Sequence, residues 1–249
     1  MNQLGTIATK ARNLYLYGRT FSDWDSIRNW HALRNGQSCP EIVLVRVRAL
    51  RGRQIALRCH SSDCSVFFDT FFARYHVPPG SLNPKSVLDL GSNIGLTMAH
   101  FAAMYSSAKV LGVELDAHNV ALCRRNIASF GDRCQILCGA AWYENGWVGY
   151  SGTEAWGYHV DKSARQTIPA YSIHQLIMMM GGHVDYVKMD IEGAERDVVR
   201  HGGWLHKIGS IKVEVHPPYT LGECIADLKE HGFACEIDKR HGASVFASR

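Results

Sequence analysis

Two short stretches gather the groups that could carry chemistry. VKMDIEGAE (187–195) places Asp190, Glu192 and Glu195 just past an apolar run, and IKVEVHPP (211–218) places Glu214 and His216 at the end of another. Side chains alternate along a strand, so Lys188 shares a face with Asp190, and Glu214 with His216. Adjacent strand ends would then bring three carboxylates and an imidazole to one cleft. A carboxylate ending a buried strand needs a partner, and an imidazole titrates near neutral pH. Such a set can take the proton of a hydroxyl, with His216 as general base beside Asp190 and Glu192. The plainer role for Glu192 and Glu195 is to sit at a helix start, where the dipole favours acids. No residue is assigned to a metal. A divalent ion held by Asp190, Glu192 and His216 is the rival account, and carboxylate oxygens with one imidazole would suit magnesium or manganese.

A third stretch, VLDLGSNIGLT (87–97), is an apolar run ending in an acid, then a loop with Gly91 and Gly95, then a helix start. The dinucleotide fingerprint G-x-G-x-x-G would need glycines where Asn93 and Leu96 stand, so the close approach to a pyrophosphate is lost. An acid at Asp89, two residues before the first glycine, would repel phosphate and attract a cation. S-adenosylmethionine has no phosphate and carries a sulfonium and an ammonium. A strand-end carboxylate beside exposed backbone donors complements it. Glu114 closes the next apolar run, VLGVEL, where an acid can accept from ribose hydroxyls.

These residues need a frame. From residue 85 onward strands are expected at SVLDL, KVLGVEL, CQILCG, VDYVKMD and SIKVEVH, with helices after the first two, near GAERDVVRH and in TLGECIADLKEHG. Strands separated by helices mean an α/β doubly wound, mostly parallel sheet covered on both faces, with ligands beyond the carboxyl ends of its strands. WVGYSG and RQTIPAY read as added short strands, and FACEID with ASVFAS as a closing antiparallel pair. Residues 1–84 read as an extension: an aromatic helix, a hairpin from EIVLVRVRAL and RQIALRCH, and a helix in SSDCSVFFDTFFARYH with Ser62 or Asp63 as its cap. Phe21, Trp24, Ile27, Trp30 and Leu33 make one stripe, either packing the helix on the sheet or forming a lid over an acceptor.

DLGSNIG, VELDAHNVALCRRN and YVKMDIEGAERDVV together resemble the FkbM-type family of S-adenosylmethionine-dependent methyltransferases. Ser92 stands where alanine is usual, Asn126 matches a later Asn, and Lys188, Asp190, Glu192, Gly193 and Glu195 fill a K-x-D-x-E-G-x-E block. The likeness covers about 86–216; Leu115 departs from it where proline is common. It implies a Rossmann-like class I methyltransferase fold with a seven-stranded sheet, transferring a methyl group to a hydroxyl of a sugar or natural product. By the same resemblance Asp89, Gly91, Ser92, Asn93, Gly95, Glu114 and Asp190 should line the cofactor, with the adenine against Ala140 and Ala141 beside Trp142.

HPPY (216–219) resembles the N/D-P-P-Y motif of amino-methyltransferases, but that motif follows the fourth strand, where DIEG stands here. Pro217–Pro218 reads as a strand terminator. The alternatives kept open are an RNA or N-methyltransferase, an NAD-dependent oxidoreductase and a non-catalytic nucleotide-binding module.

The 249 residues, 46% hydrophobic and 20% charged, suit a soluble globular protein of one large domain with an extension. The apolar stretches, such as LIMMM, are too short to span a bilayer, and MNQLGTIATKARN lacks an apolar core of signal-peptide length. Eight cysteines without a CxxC pair read as free thiols of a cytoplasmic protein, not a disulfide framework or zinc site. A net charge of +4 does not demand nucleic acid. Arg46, Arg48, Arg51, Arg53 and Arg58 either meet phosphate or blunt a solvated strand edge. The expected acceptor is a small molecule or glycan.

Overall fold

The computed structural model describes residues 15–80, 82–152, 159–160 and 164–249. Residues 1–13, read above for targeting, lie outside them. The chain divides into two units, one up to Arg74 and one from Tyr75, so the Pro/Gly-rich connection at 77–84 lies inside the second.

In the first unit, Asp23 caps helix α1 (Trp24–Arg34) by accepting the Ser26 N–H at 2.8 Å. Strands β1 (Ile42–Val47) and β2 (Arg53–Arg58) form the expected hairpin, pairing Ile42 with Arg58 and Val47 with Arg53. Helix α2 (Asp63–Phe68) runs into a π turn, Asp69–Ala73. The aromatic stripe divides. Steps of three residues fall about 60° behind the helix per step, so Trp30 and Leu33 are buried while Trp24 stays 75% exposed; Phe21, ahead of the helix, is buried where it bridges to Val47. Phe21 and Trp30 meet Phe67 at ring distances of 5.5 and 4.5 Å. Packing is therefore within this unit, on the hairpin and α2. Neither expected residue caps α2: Ser62 makes no capping bond, and Asp63 is fully buried on the Arg58 guanidinium at 2.7 Å. Arg48 donates to the Gly18 carbonyl and Arg53 to the Leu50 carbonyl, and Arg46 lies 3.7 Å from Asp23.

The cysteine reading needs correction here. Cys39 and Cys59 form a disulfide; the other six are free. Twenty residues separate the pair in sequence, and the hairpin register closes that distance. A loop of this length should be worth about 3 kcal/mol in the denatured chain. Unfolding of wild type with and without reductant, beside Cys39→Ser, should show that loss. Disulfides are commoner outside the cytosol.

The second unit holds the sheet. Its strands are β3 (Ser86–Leu90), β4 (Lys109–Glu114), β5 (Cys134–Cys138), β10 (Val184–Met189), β11 (Ile208–Glu214), β12 (Ala234–Ile237) and β13 (Ser244–Ser248). Their spatial order is β12-β13-β11-β10-β3-β4-β5. Only β13 runs against its neighbours. Helices α3 (Leu96–Met104), α4 (Ala117–Ile127), α6 (Glu195–Arg200) and α7 (Leu221–Glu230) fall where expected. A smaller sheet orders β6 (Ala140–Trp142), β9 (Thr167–Ser172), β7 (Gly146–Ser151) and β8 (His159–Val160). Helix α5 (Ile173–Met179) follows β9 and was not anticipated. The core between sheet and helices includes Leu88, Leu111, Val187, Met189, Ile211 and Trp204.

Strand order reverses at β3, which has β4 on one side and β10 on the other. A crevice opens beyond the carboxyl ends at such a switch point. Among the described residues no helix is long and apolar enough to cross a membrane.

Candidate active site

The glycine loop leaves β3 folded against its neighbours. The Gly91 and Ser92 N–H groups both donate to the Val113 carbonyl at 3.0 Å, and Gly95 N–H donates to Ser92. Asn93, at φ 48°, donates its N–H to Glu114 Oε2 at 2.8 Å and accepts the Ile94 N–H on its own side chain. Every loop amide from Gly91 to Gly95 is thus spent inside the protein. The expectation of exposed loop donors is corrected.

Asp89 is corrected too. Expected to meet the ligand, it is fully buried beneath the loop. Its Oδ2 accepts the Thr97 hydroxyl and its Oδ1 lies 3.7 Å from the Lys188 ammonium. Lys188, itself buried, donates to the Gly91 carbonyl at 2.8 Å and lies 3.2 Å from Asp190 Oδ2. Burial works against its charge, but Asp190, the Tyr75 hydroxyl, Asp89 and Glu214 hold it well above the usual lysine range. One ammonium therefore ties the loop to the strand end that carries Asp190.

Glu114 is 8% exposed. It accepts from Asn93 N–H, from Asp116 N–H at 2.9 Å and from the Asn119 amide at 3.4 Å. Three of its roughly four lone-pair positions are engaged, and burial lifts its carboxyl above the usual range. Asn126 donates to the Ile94 carbonyl at 2.9 Å and fastens α4 to the loop. Ser92, Gly95, Ala140, Ala141 and Trp142 are closed off from solvent, Trp142 within the main core. Gly91, Asn93, Leu115, Asp116 and Cys138 form the open rim.

The second group converges as expected. His216 Nε2 lies 3.6 Å from Glu192, 3.9 Å from Asp190 and 4.0 Å from Glu214. Its other nitrogen, Nδ1, meets Glu195 Oε1 at 2.9 Å. Glu195 is more than a helix-start acid: fully buried, it also accepts the Ile191 and Gly193 N–H groups at 2.9 and 3.0 Å. Burial opposes charge on His216, yet Glu195, Asp190 and Glu192 push it up to about 9. It thus already carries a proton at neutral pH, a poor state for a general base. Burial, with Asp190 beside both, pushes Glu192 and Glu214 up to about 7. His241 Nε2, 3.7 Å from Glu214, and the Tyr75 ring against His241 continue the wall. His241 and Tyr75 carried no signal in the sequence, since only the fold brings them here. The tyrosine of HPPY turns inward, buried and donating to Asp227 at 2.8 Å.

A profile of the FkbM methyltransferase domain matches residues 89–240, which spans both groups. The rRNA N(6)-adenosine-methyltransferase metl-5 of Caenorhabditis elegans is 38% identical over 55 residues, covering 21% of this chain and 26% of that protein. Among solved structures, the fibrillarin pre-rRNA processing protein of Methanococcus jannaschii overlays with a TM-score of 0.46 at 13% identity, covering 85% of this chain and 94% of that one. An O-methyltransferase family protein from Burkholderia thailandensis gives 0.44 at 13% identity, covering 76% and 60%. The domain match takes in more than half of the chain, from the acid of the glycine loop to beyond the histidine wall. The chain belongs to the FkbM methyltransferase family, and its cofactor is S-adenosylmethionine.

Proposed function

We propose that the protein methylates a hydroxyl of a sugar or natural-product acceptor. The observation that carries this reading is the convergence of Asp190, Glu192, Glu214 and His216 at the strand ends beside the glycine loop. An alcohol attacks a sulfonium methyl only as its proton leaves, whereas an amine brings a free lone pair. The wall supplies proton acceptors, and Tyr219, the tyrosine of HPPY, faces the core.

In this reading the donor lies across Gly91, Asn93 and Glu114, with the Glu114 lone pair left over accepting a ribose hydroxyl and Asp190 at the methionine end. Ser92, Gly95, Ala140 and Ala141 support this floor from below; Asp89 does so through Lys188. Asp190, Glu192 and His216 hold the acceptor oxygen in line with the methyl group. Glu214 takes the proton, because His216 is already charged. Turnover should therefore rise with pH and level off above about 7, and Glu214→Gln should flatten that profile.

The test is an acceptor screen with isotopically labelled donor, reading methyl ethers by mass spectrometry. Label in sugar or polyketide alcohols is expected. Label confined to RNA or amines would overturn the reading and favour a second one, N-methylation of RNA, for which the local likeness to an rRNA methyltransferase speaks.

A further inference from the structure

We infer that Asp190, Glu192 and His216 bind one divalent cation, manganese or magnesium in character, between the donor and the acceptor hydroxyl. One ligand atom from each lies within 4.8 Å of the others. Two ligands about 2.1 Å from an ion and at right angles to each other stand about 3 Å apart. The 3.6 and 3.9 Å separations at Nε2 need only small side-chain rotations to match.

Two atoms that would not touch the ion, one on His216 and one on Asp190, are held by partners outside the ligand set. His216 Nδ1 is held by Glu195, a carboxylate fully buried and anchored on two backbone N–H groups. That fixes the proton on Nδ1 and turns Nε2 toward the carboxylates, as outer carboxylates do for metal-bound histidines; the ion takes the place of the second proton, which His216 carries only while the metal is absent. Asp190 Oδ2 faces Lys188, which is anchored on the Gly91 carbonyl, so Oδ1 is left for the ion. Two carboxylate oxygens and one imidazole leave positions for water and for a substrate oxygen, and hard oxygen donors favour magnesium or manganese.

The role of the ion rests on the methyltransferase reading. An acceptor hydroxyl replacing a bound water becomes more acidic and passes its proton to Glu214. Its oxygen then bonds to the methyl carbon as the carbon–sulfur bond breaks. The sulfonium charge cancels that of the alkoxide, leaving the methyl ether, S-adenosylhomocysteine and a protonated Glu214.

Manganese binding to the full-length chain, followed by electron paramagnetic resonance with S-adenosylhomocysteine present, tests this. One ion per chain is expected. Glu192→Gln and His216→Ala should each weaken binding tenfold or more, and Glu195→Gln by about ten- to a hundredfold. Glu236→Gln, at an exposed acid, should change nothing. Calorimetry with S-adenosylhomocysteine checks each variant for an intact fold and donor site. No bound manganese in a protein that binds S-adenosylhomocysteine overturns the inference and leaves the methyltransferase reading standing, as does manganese binding indifferent to Glu192→Gln and His216→Ala. Failure to bind S-adenosylhomocysteine, whatever manganese does, counts against the reading itself.

Discussion

Gly91→Ala should abolish measurable binding of S-adenosylmethionine and lower the unfolding temperature. Gly91 sits at φ 77°, where a side chain costs about 1–2 kcal/mol on its own. The larger effect is steric. A β-carbon there would stand 1.7 Å from the backbone oxygen of Asp190. Neither partner is the flexible end of a side chain, so the loop or the strand end must move. The Asp190 N–H donates to the Leu90 carbonyl at 3.1 Å, so a displacement on either side reaches the other. Misplacement of about 1 Å at such a site costs on the order of a hundredfold in rate. Gly193→Ala is the control. Its φ of 99° is equally unsuited to alanine, but its nearest neighbour is a carbonyl oxygen at 4.0 Å. Calorimetric titration and thermal unfolding of both variants should separate strain from collision; comparable behaviour would refute the steric account.

Glu192→Gln should slow methyl transfer on the order of a hundredfold and, in chelator-treated protein, make the fold more stable at pH 8. The unfolded chain releases this proton near 4.5 and the folded chain at about 7. Between those values the unfolded state is the more ionised, so wild-type stability falls as pH rises through the window. The loss amounts to at most about 3 kcal/mol and is complete above 7. Glutamine has no proton to release and escapes it. Denaturation at pH 4 and pH 8 reads the difference directly: near equality at the lower value, a more stable variant at the higher. A variant less stable than wild type at pH 8 would mean that the amide loses contacts the carboxylate makes.

The parallel strands could be read from sequence because each is a short apolar run bounded by turn residues and followed by a helical pattern. The Asp190 block was legible because its acids immediately follow such a run. Helix α5 was hidden. Ile173, Leu176 and Ile177 are its buried face, but Met178 and Met179 are more than half exposed, so the apolar stripe has no polar complement. The disulfide was hidden because only the hairpin register brings Cys39 to Cys59. Asp89 shows a different limit. Its place at a strand end could be read, but not which way it turns, and that depended on Lys188 one strand over, 99 residues later. Glu195 was legible as a helix-start acid; that it grips His216 depends on the turn after β11.

Lys188 has one further consequence. Its ammonium spans the carbonyl of Gly91 and the carboxylate of Asp190, so in the proposed arrangement the two substrates would lean on a shared post. Reciprocity then follows from thermodynamics: whatever factor the methyl donor adds to the affinity of its co-substrate, the co-substrate returns. A lysine that never touches either molecule would set the size of that exchange.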